Sequence, residues 1–151
     1  MLRRSTAWLE KRGIESPRLD VEILMAHALG LKRLDLYLQF DRPLGDDELD
    51  AIRKLVVARS ERQPVAYLVG EREFFSLPFA VDERVLVPRP ETEQLVELAV
   101  ARLGGRTDPV FADVGTGSGC IAVAVLHEVE DARGLALDVE DGALKVAASN
   151  A

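Results

Sequence analysis

The sequence predicts an α/β protein: a small helical bundle, then the opening of a doubly wound parallel sheet. Three observations carry this. Residues 1–70 repeat apolar side chains at helical spacing between short polar loops. After Gly70 the pattern changes to aromatic and β-branched residues. From Val110 onward, apolar strands alternate with a helix, and the first strand runs into Gly115-Thr116-Gly117-Ser118-Gly119.

The elements follow in order. Ala7, Trp8 and Leu9 make a short amphipathic stretch before Gly13. Ser16-Pro17 predicts a helix start, with Ser16 as N-cap and Pro17 at the first helical position. Leu19, Ile23, Leu24, Ala26 and His27 then recur at helical spacing, which sets His27 on the apolar side, and Gly30 is the stop. Leu34, Tyr37 and Leu38 mark a third helix, broken at Asp41-Arg42-Pro43. A fourth starts near Asp46, with Leu49, Ile52, Leu55, Val56 and Arg59 on one side and Pro64 after its end. Four short helices make a bundle over residues 1–70.

Glu73–Leu77 and Phe79–Val81, around Pro78, predict a β-hairpin, with Val85-Leu86-Val87 as another extended piece. Residues 71–87 read as a connector and 88–151 as a second domain. In Pro88-Arg89-Pro90-Glu91-Thr92-Glu93 each proline pushes its predecessor toward extended geometry. Pro90 suits a first helical turn, where Glu91 and Glu93 complement the positive helix end. Leu95, Val96, Leu98, Ala99 and Leu103 supply the stripe, and Gly104-Gly105 closes it. Val110–Val114 then reads as a strand buried in a parallel sheet. Cys120–His127 reads as a helix, Gly134–Asp138 as a second strand and Asp141–Asn150 as a further helix.

Composition narrows the function. Of 151 residues, 48% are hydrophobic and 30% charged, a globular composition that is neither disordered nor membranous. No apolar run approaches the roughly 20 residues of a membrane span. The basic start lacks an apolar run behind it, so no signal peptide is expected and the cytoplasm is the expected location. A net charge of −7 argues against a nucleic-acid partner. Lys11, Arg12, Lys32 and Arg33 read as solvated helix ends. Cys120 has no second cysteine to pair with and reads as a small buried residue. His27 and His127 lack neighbouring ligand patterns, so no metal is expected.

The glycine loop is the sharpest signal. A sharp turn between strand and helix, with backbone close to a ligand, requires glycine. The spacing is not Gly-x-Gly-x-x-Gly, because the third glycine stands at 119 and position 120 is cysteine. A Walker loop would need a lysine, and none follows. Asp138 ends the second strand, where a carboxylate can accept ribose hydroxyls. It can equally cap the helix near Asp141. The loop alone could also be an ordinary tight turn.

Asp113 to Gly119 resembles motif I of the class I methyltransferases, whose domains are Rossmann-like. With Gln63–Gly70, Glu73-Phe74 and Val85–Glu93, the whole chain resembles the N5-glutamine methyltransferases of peptide chain release factors, the PrmC/HemK family. The resemblance implies S-adenosyl-L-methionine as cofactor. Its binding residues would be Asp113, Gly115, Thr116, Gly117, Ser118, Gly119 and Asp138, with Asp113 either beside the cofactor or fixing the loop. Pro88 to Thr92 would lie near the pocket or serve only as a rigid helix entry. The implied partners are class I peptide chain release factors, methylated on the glutamine of Gly-Gly-Gln and held in part by the helical domain.

The family's acceptor motif, Asn-Pro-Pro-Tyr, is absent. The only asparagine is Asn150, and no two prolines are adjacent. No catalytic residue is therefore assigned. The chain reads as a truncated front half, inactive alone and poorly stable, binding cofactor weakly if at all. Two alternatives stand: a fragment of an adenine-N6 nucleic-acid methyltransferase, or a non-catalytic module that binds release factors.

Overall fold

The computed structural model describes residues 1–151. The chain forms two compact units, Met1–Val69 and Gly70–Ala151. The first is helical: α1 (Leu2–Glu10), α2 (Pro17–Leu29), α3 (Asp35–Leu38), α4 (Asp46–Ser60) and α5 (Val65–Val69). There are five helices where four were expected. Pro64 opens the fifth, its carbonyl accepting the amides of Tyr67 and Leu68 at 3.1 and 3.2 Å. A proline suits that place because a helix start has amides to spare.

The ends of α2 are as expected in position. Pro17 takes the first turn, and Gly30 is left-handed at φ 62°. The amide of Leu31 reaches back to the Ala26 carbonyl at 2.9 Å, which satisfies the last turn. Ser16 holds the N-cap position, but its hydroxyl makes no capping bond. At α4 the cap is Gly45, whose amide donates to Glu48 Oε2 at 3.0 Å.

The core of this unit joins Leu9 and Ile14, Val21 and Met25 of α2, and Ile52 and Val56 of α4. The buried face of α2 is rotated from the expected one. Leu19 and His27 are exposed, whereas Asp20 and Glu22 are buried. Helix α2 touches α1, α3, α4 and α5, so more than one side is covered. Burial of a carboxylate is tolerable only with partners, and both have them. Arg59 Nε donates to Asp20 Oδ2 at 2.7 Å. Glu22 accepts Arg18 Nε at 3.0 Å, Arg33 Nη2 at 3.1 Å and the Tyr37 hydroxyl, which ties α3 to α2.

The second unit begins with an antiparallel hairpin, β1 (Glu71–Phe74) and β2 (Leu77–Ala80). A 3-10 turn, Pro90–Thr92, leads into α6 (Glu93–Leu103). Then come β3 (Val110–Val114), α7 (Cys120–Glu128), β4 (Arg133–Leu137) and α8 (Asp141–Asn150). Strands β3 and β4 pair in parallel, Val110 opposite Arg133 through Val114 opposite Leu137. This strand–helix–strand unit is a Rossmann-like start. No helix is long and apolar enough to cross a membrane.

Phe74 and Phe79 meet edge to face at 6.1 Å and form the core with Val96, Cys120, Ala124 and Val125. The hairpin is thus built into this unit. Three expectations need correction. Val85-Leu86-Val87 forms no strand, although Val85 itself is buried. On α6, Val96, Ala99, Val100 and Leu103 pack inward while Leu95 and Leu98 are exposed. Strand β3 is buried on one face only, and Val110 and Val114 are exposed.

Glu22 gives a test of the helical unit. The Tyr37 hydroxyl, and after it Arg18 and Arg33, hold its carboxyl below the ordinary 4.5 despite burial. A carboxyl depressed in the folded state stabilises it above the unfolded pKa, and that contribution is lost as pH falls through the folded value. Glu22→Gln is expected to cost about 2 kcal/mol at neutral pH. It should also flatten the loss of stability on acidification below 4.5. Urea unfolding across pH measures both, and an unchanged acid limb would refute the assignment.

Candidate functional site

The loop between β3 and α7 must reverse the chain in five residues. It does so with three left-handed glycines: Gly115 at φ 79°, Gly117 at 55° and Gly119 at 78°. Side chains disfavour this region, and glycine does not. The three serve different ends. A Cβ on Gly119 would stand 3.1 Å from the Cβ and 3.2 Å from the Cα of Ala147, so its bareness lets α8 close on the loop. A Cβ on Gly115 or Gly117 would meet nothing within 4 Å. Beside these two the space is open.

Hydrogen bonds fix the loop to both strands. The amides of Gly115 and Thr116 donate to the Leu137 carbonyl at 2.8 and 2.9 Å. The Thr116 hydroxyl donates to Asp113 Oδ2 at 2.8 Å, and both residues are buried. The Gly117 amide donates to Asp138 Oδ2 at 2.9 Å, and the Glu140 amide to Asp138 Oδ1 at 3.1 Å. Asp138 therefore braces the turn between β4 and α8, while Glu140 holds the N-cap position of α8. The Gly117 amide, then that of Glu140, hold the Asp138 carboxyl below its ordinary pKa. A carboxylate accepts about four hydrogen bonds, so acceptor capacity remains.

All seven residues singled out from sequence lie in this loop or at its borders. Asp138 and Gly117 meet directly, as do Asp113 and Thr116. Ser118 is buried, and its carbonyl rather than its hydroxyl is held.

Two residues of the site escaped the sequence reading. Asn150 Oδ1 accepts the Ala80 amide at 2.8 Å, and its Nδ2 donates to the carbonyls of Ala80 at 3.0 Å and Ser118 at 2.9 Å. One side-chain amide so joins β2, the glycine loop and the end of α8. Glu93 Oε1 accepts the Phe75 amide at 2.9 Å, bonding the hairpin turn to α6. Neither pairing has a local signal, because the partners stand far apart in sequence.

The arrangement is suited to binding. It offers fixed backbone, an ionised carboxylate and open space beside two glycines. It offers no activated nucleophile. Burial pushes the Cys120 thiol pKa up, and a neutral thiol is a weak nucleophile. His127 pairs only with Glu128, at 3.3 Å on the surface. No group of three or more His, Cys, Asp or Glu side chains is arranged to hold a metal ion.

Residues 1–70 match the PrmC N-terminal domain family. The whole chain is similar to proteins named release factor glutamine methyltransferase. With that of Rhodopirellula baltica it is 47% identical over 154 residues, which covers 99% of this chain and 52% of the relative. With that of Chlorobaculum tepidum it is 45% identical, covering 100% and 53%. With that of Nitratidesulfovibrio vulgaris it is again 45%, covering 100% and 51%. The chain spans about half the length of these curated relatives.

The clasp and the glycines predict a graded series in urea unfolding. Asn150→Asp sets a carboxylate against two carbonyl oxygens and should cost about 2 kcal/mol. Gly119→Ala drives a methyl into Ala147 and should cost about 1–3 kcal/mol. Gly117→Ala pays only for its left-handed backbone, about 1 kcal/mol. A neutral Asn150→Asp would mean the clasp does not form.

Proposed function

We propose, from the homology of this chain to the release factor glutamine methyltransferases, that it is the cofactor-binding half of such an enzyme. The complete protein would move a methyl group from S-adenosyl-L-methionine to the glutamine side-chain amide of Gly-Gly-Gln in class I peptide chain release factors. The observation that carries this reading is the glycine loop whose Gly117 amide is bonded to Asp138 across a parallel strand pair.

The loop fits the amino-acid and ribose portions of the cofactor. Nothing stands where a Cβ on Gly115 or Gly117 would be, so a ligand can approach the backbone there. Asp138, ionised and with acceptor capacity left, suits ribose hydroxyls. Asp113 and Thr116 contribute by fixing each other, Ser118 through its held carbonyl, and Gly119 by admitting α8. When bound, the cofactor supplies a methyl group activated on a positively charged sulfur.

The residues of this chain bind and orient that group, and the acceptor is a separate task. An amide nitrogen is a poor nucleophile because its lone pair is delocalised into the carbonyl. An acceptor site must hold it in line and weaken that delocalisation by hydrogen bonding. By resemblance the task belongs to an Asn-Pro-Pro-Tyr motif, which these residues do not contain. Asn150 is not a substitute, since its amide is engaged with Ala80 and Ser118. We expect no methyl transfer by the chain alone. In this reading residues 1–70 hold the release factor, and the hairpin (71–87) and residues 88–151 serve the cofactor. The cytoplasm is the location, since translation termination occurs there.

Equilibrium dialysis with labelled S-adenosyl-L-methionine tests the reading. The expected outcome is binding that Asp138→Ala weakens by about tenfold or more. A folded chain that binds NAD in preference, or that is indifferent to Asp138→Ala, would end it.

A further inference from the structure

The glycine loop is pinned from two sides. Its strand-side half is held by Leu137 and Asp138, through the amides of Gly115, Thr116 and Gly117. Its helix-side half, Ser118-Gly119, is held by a residue of α8. Asn150 Nδ2 donates to the Ser118 carbonyl at 2.9 Å, across 32 residues of chain. The same side chain accepts the Ala80 amide at 2.8 Å and donates to the Ala80 carbonyl at 3.0 Å. A side-chain amide has two N–H donors, and both are used.

Helix α8 does not need these bonds to stay in place. Ala143, Val146 and Ala147 are buried on its inner side, and Ala147 lies against Gly119. The peptide plane between Ser118 and Gly119 does need them. Rotating that plane changes ψ of Ser118 and φ of Gly119 together, and glycine accepts either sign of φ. Backbone sterics therefore do not choose between the observed plane, with Gly119 at φ 78°, and its flipped form. Hydrogen bonds choose. The Gly119 amide donates to the Thr116 carbonyl at 2.8 Å, and on the other side of the plane the Ser118 carbonyl accepts from Asn150. A flip would break both bonds. It would also reverse the donor and the acceptor next along the chain from Gly117, where the space is open.

We propose that Asn150 is a positioning residue for this loop: it locks the Ser118–Gly119 peptide plane in the orientation that receives the ligand, and joins it to the end of β2. Asparagine suits the task and its nearest analogues do not. An ionised aspartate has no donor for two carbonyls, and glutamine carries its amide one carbon further out. A loop that holds the competent plane only part of the time binds its ligand more weakly by that fraction. The clasp so sets affinity through the loop. The inference takes its ligand from the cofactor-binding reading, while the pinning of the plane is independent of which ligand the loop holds.

Asn150→Leu removes all three bonds at similar volume, and two readouts on the folded chain test the role. In the ligand-free protein the Gly119 amide, which Asn150 does not touch, is expected to exchange about tenfold faster than in the wild type. In equilibrium dialysis the Kd for S-adenosyl-L-methionine should rise by about tenfold. Val96→Ala on α6 loosens the same core and should leave that Kd unchanged. If Asn150→Leu does not fold, Asn150→Ala carries both measurements. The proposal is overturned if the folded variant keeps the wild-type Kd, if Val96→Ala raises the Kd as much, or if the Gly119 amide exchanges at its wild-type rate. A wild-type chain that does not bind S-adenosyl-L-methionine ends the cofactor reading. The Gly119 amide then decides the pinning alone, faster exchange upholding it and unchanged exchange overturning it.

Discussion

The second unit depends on how closely α8 approaches Gly119. With no side chain at 119, the backbone of Ala147 can lie against the loop. That closeness brings Asn150, one turn further on, within reach of Ser118 and Ala80. The amide then holds β2 in place, and with it Phe79 in the core. The missing atoms of one residue thus set a helix, a loop and a hairpin. The same approach keeps the Thr116–Gly117 segment where Asp113 and Asp138 can bond it. A glycine that reads as a ligand-facing residue works chiefly through packing, whereas the space beside Gly115 and Gly117 is open.

The site divides cleanly into what it fixes and what it leaves out. Every polar group of the loop that could act as a nucleophile is turned inward or held neutral. Thr116 faces Asp113, Ser118 is buried, and Cys120 sits in the core. What remains outward is backbone and one carboxylate. In the proposed reading, this suits a surface that holds a reactive molecule without reacting with it.

Much of this was legible in the sequence, for a physical reason. Signals with a local cause held: Pro17 and Gly30 at the ends of α2, and the strand–glycine–helix–strand order, while the hairpin turns at Phe75-Ser76 and not at Pro78, which lies within β2. Each is decided within a few residues by backbone sterics. Features that depend on distant partners were not legible. The rotation of α2 that buries Glu22 and exposes His27 is set by four neighbouring helices and by Tyr37 and Arg33. The exposure of Leu95 and Leu98 follows from where the hairpin packs on α6. Val85–Val87 has strand-like residues and forms no strand. Asn150 and Glu93 look like ordinary surface polar residues until the chain folds.

The hairpin turn carries a consequence for the order of folding. Phe75 and Ser76 both stand at positive φ, 52° and 61°, without being glycine, at a cost of about 1–2 kcal/mol each. The bond that supports the turn comes from Glu93, 18 residues later in the chain. The hairpin is therefore a poor nucleus for itself, although its strands are adjacent in sequence. On a ribosome, Phe75 would emerge first and wait for α6 to arrive. Assembly of this core is expected to run backward along the chain, with α6 and α7 condensing before β1 and β2 close, an order that pulsed amide exchange during refolding would record.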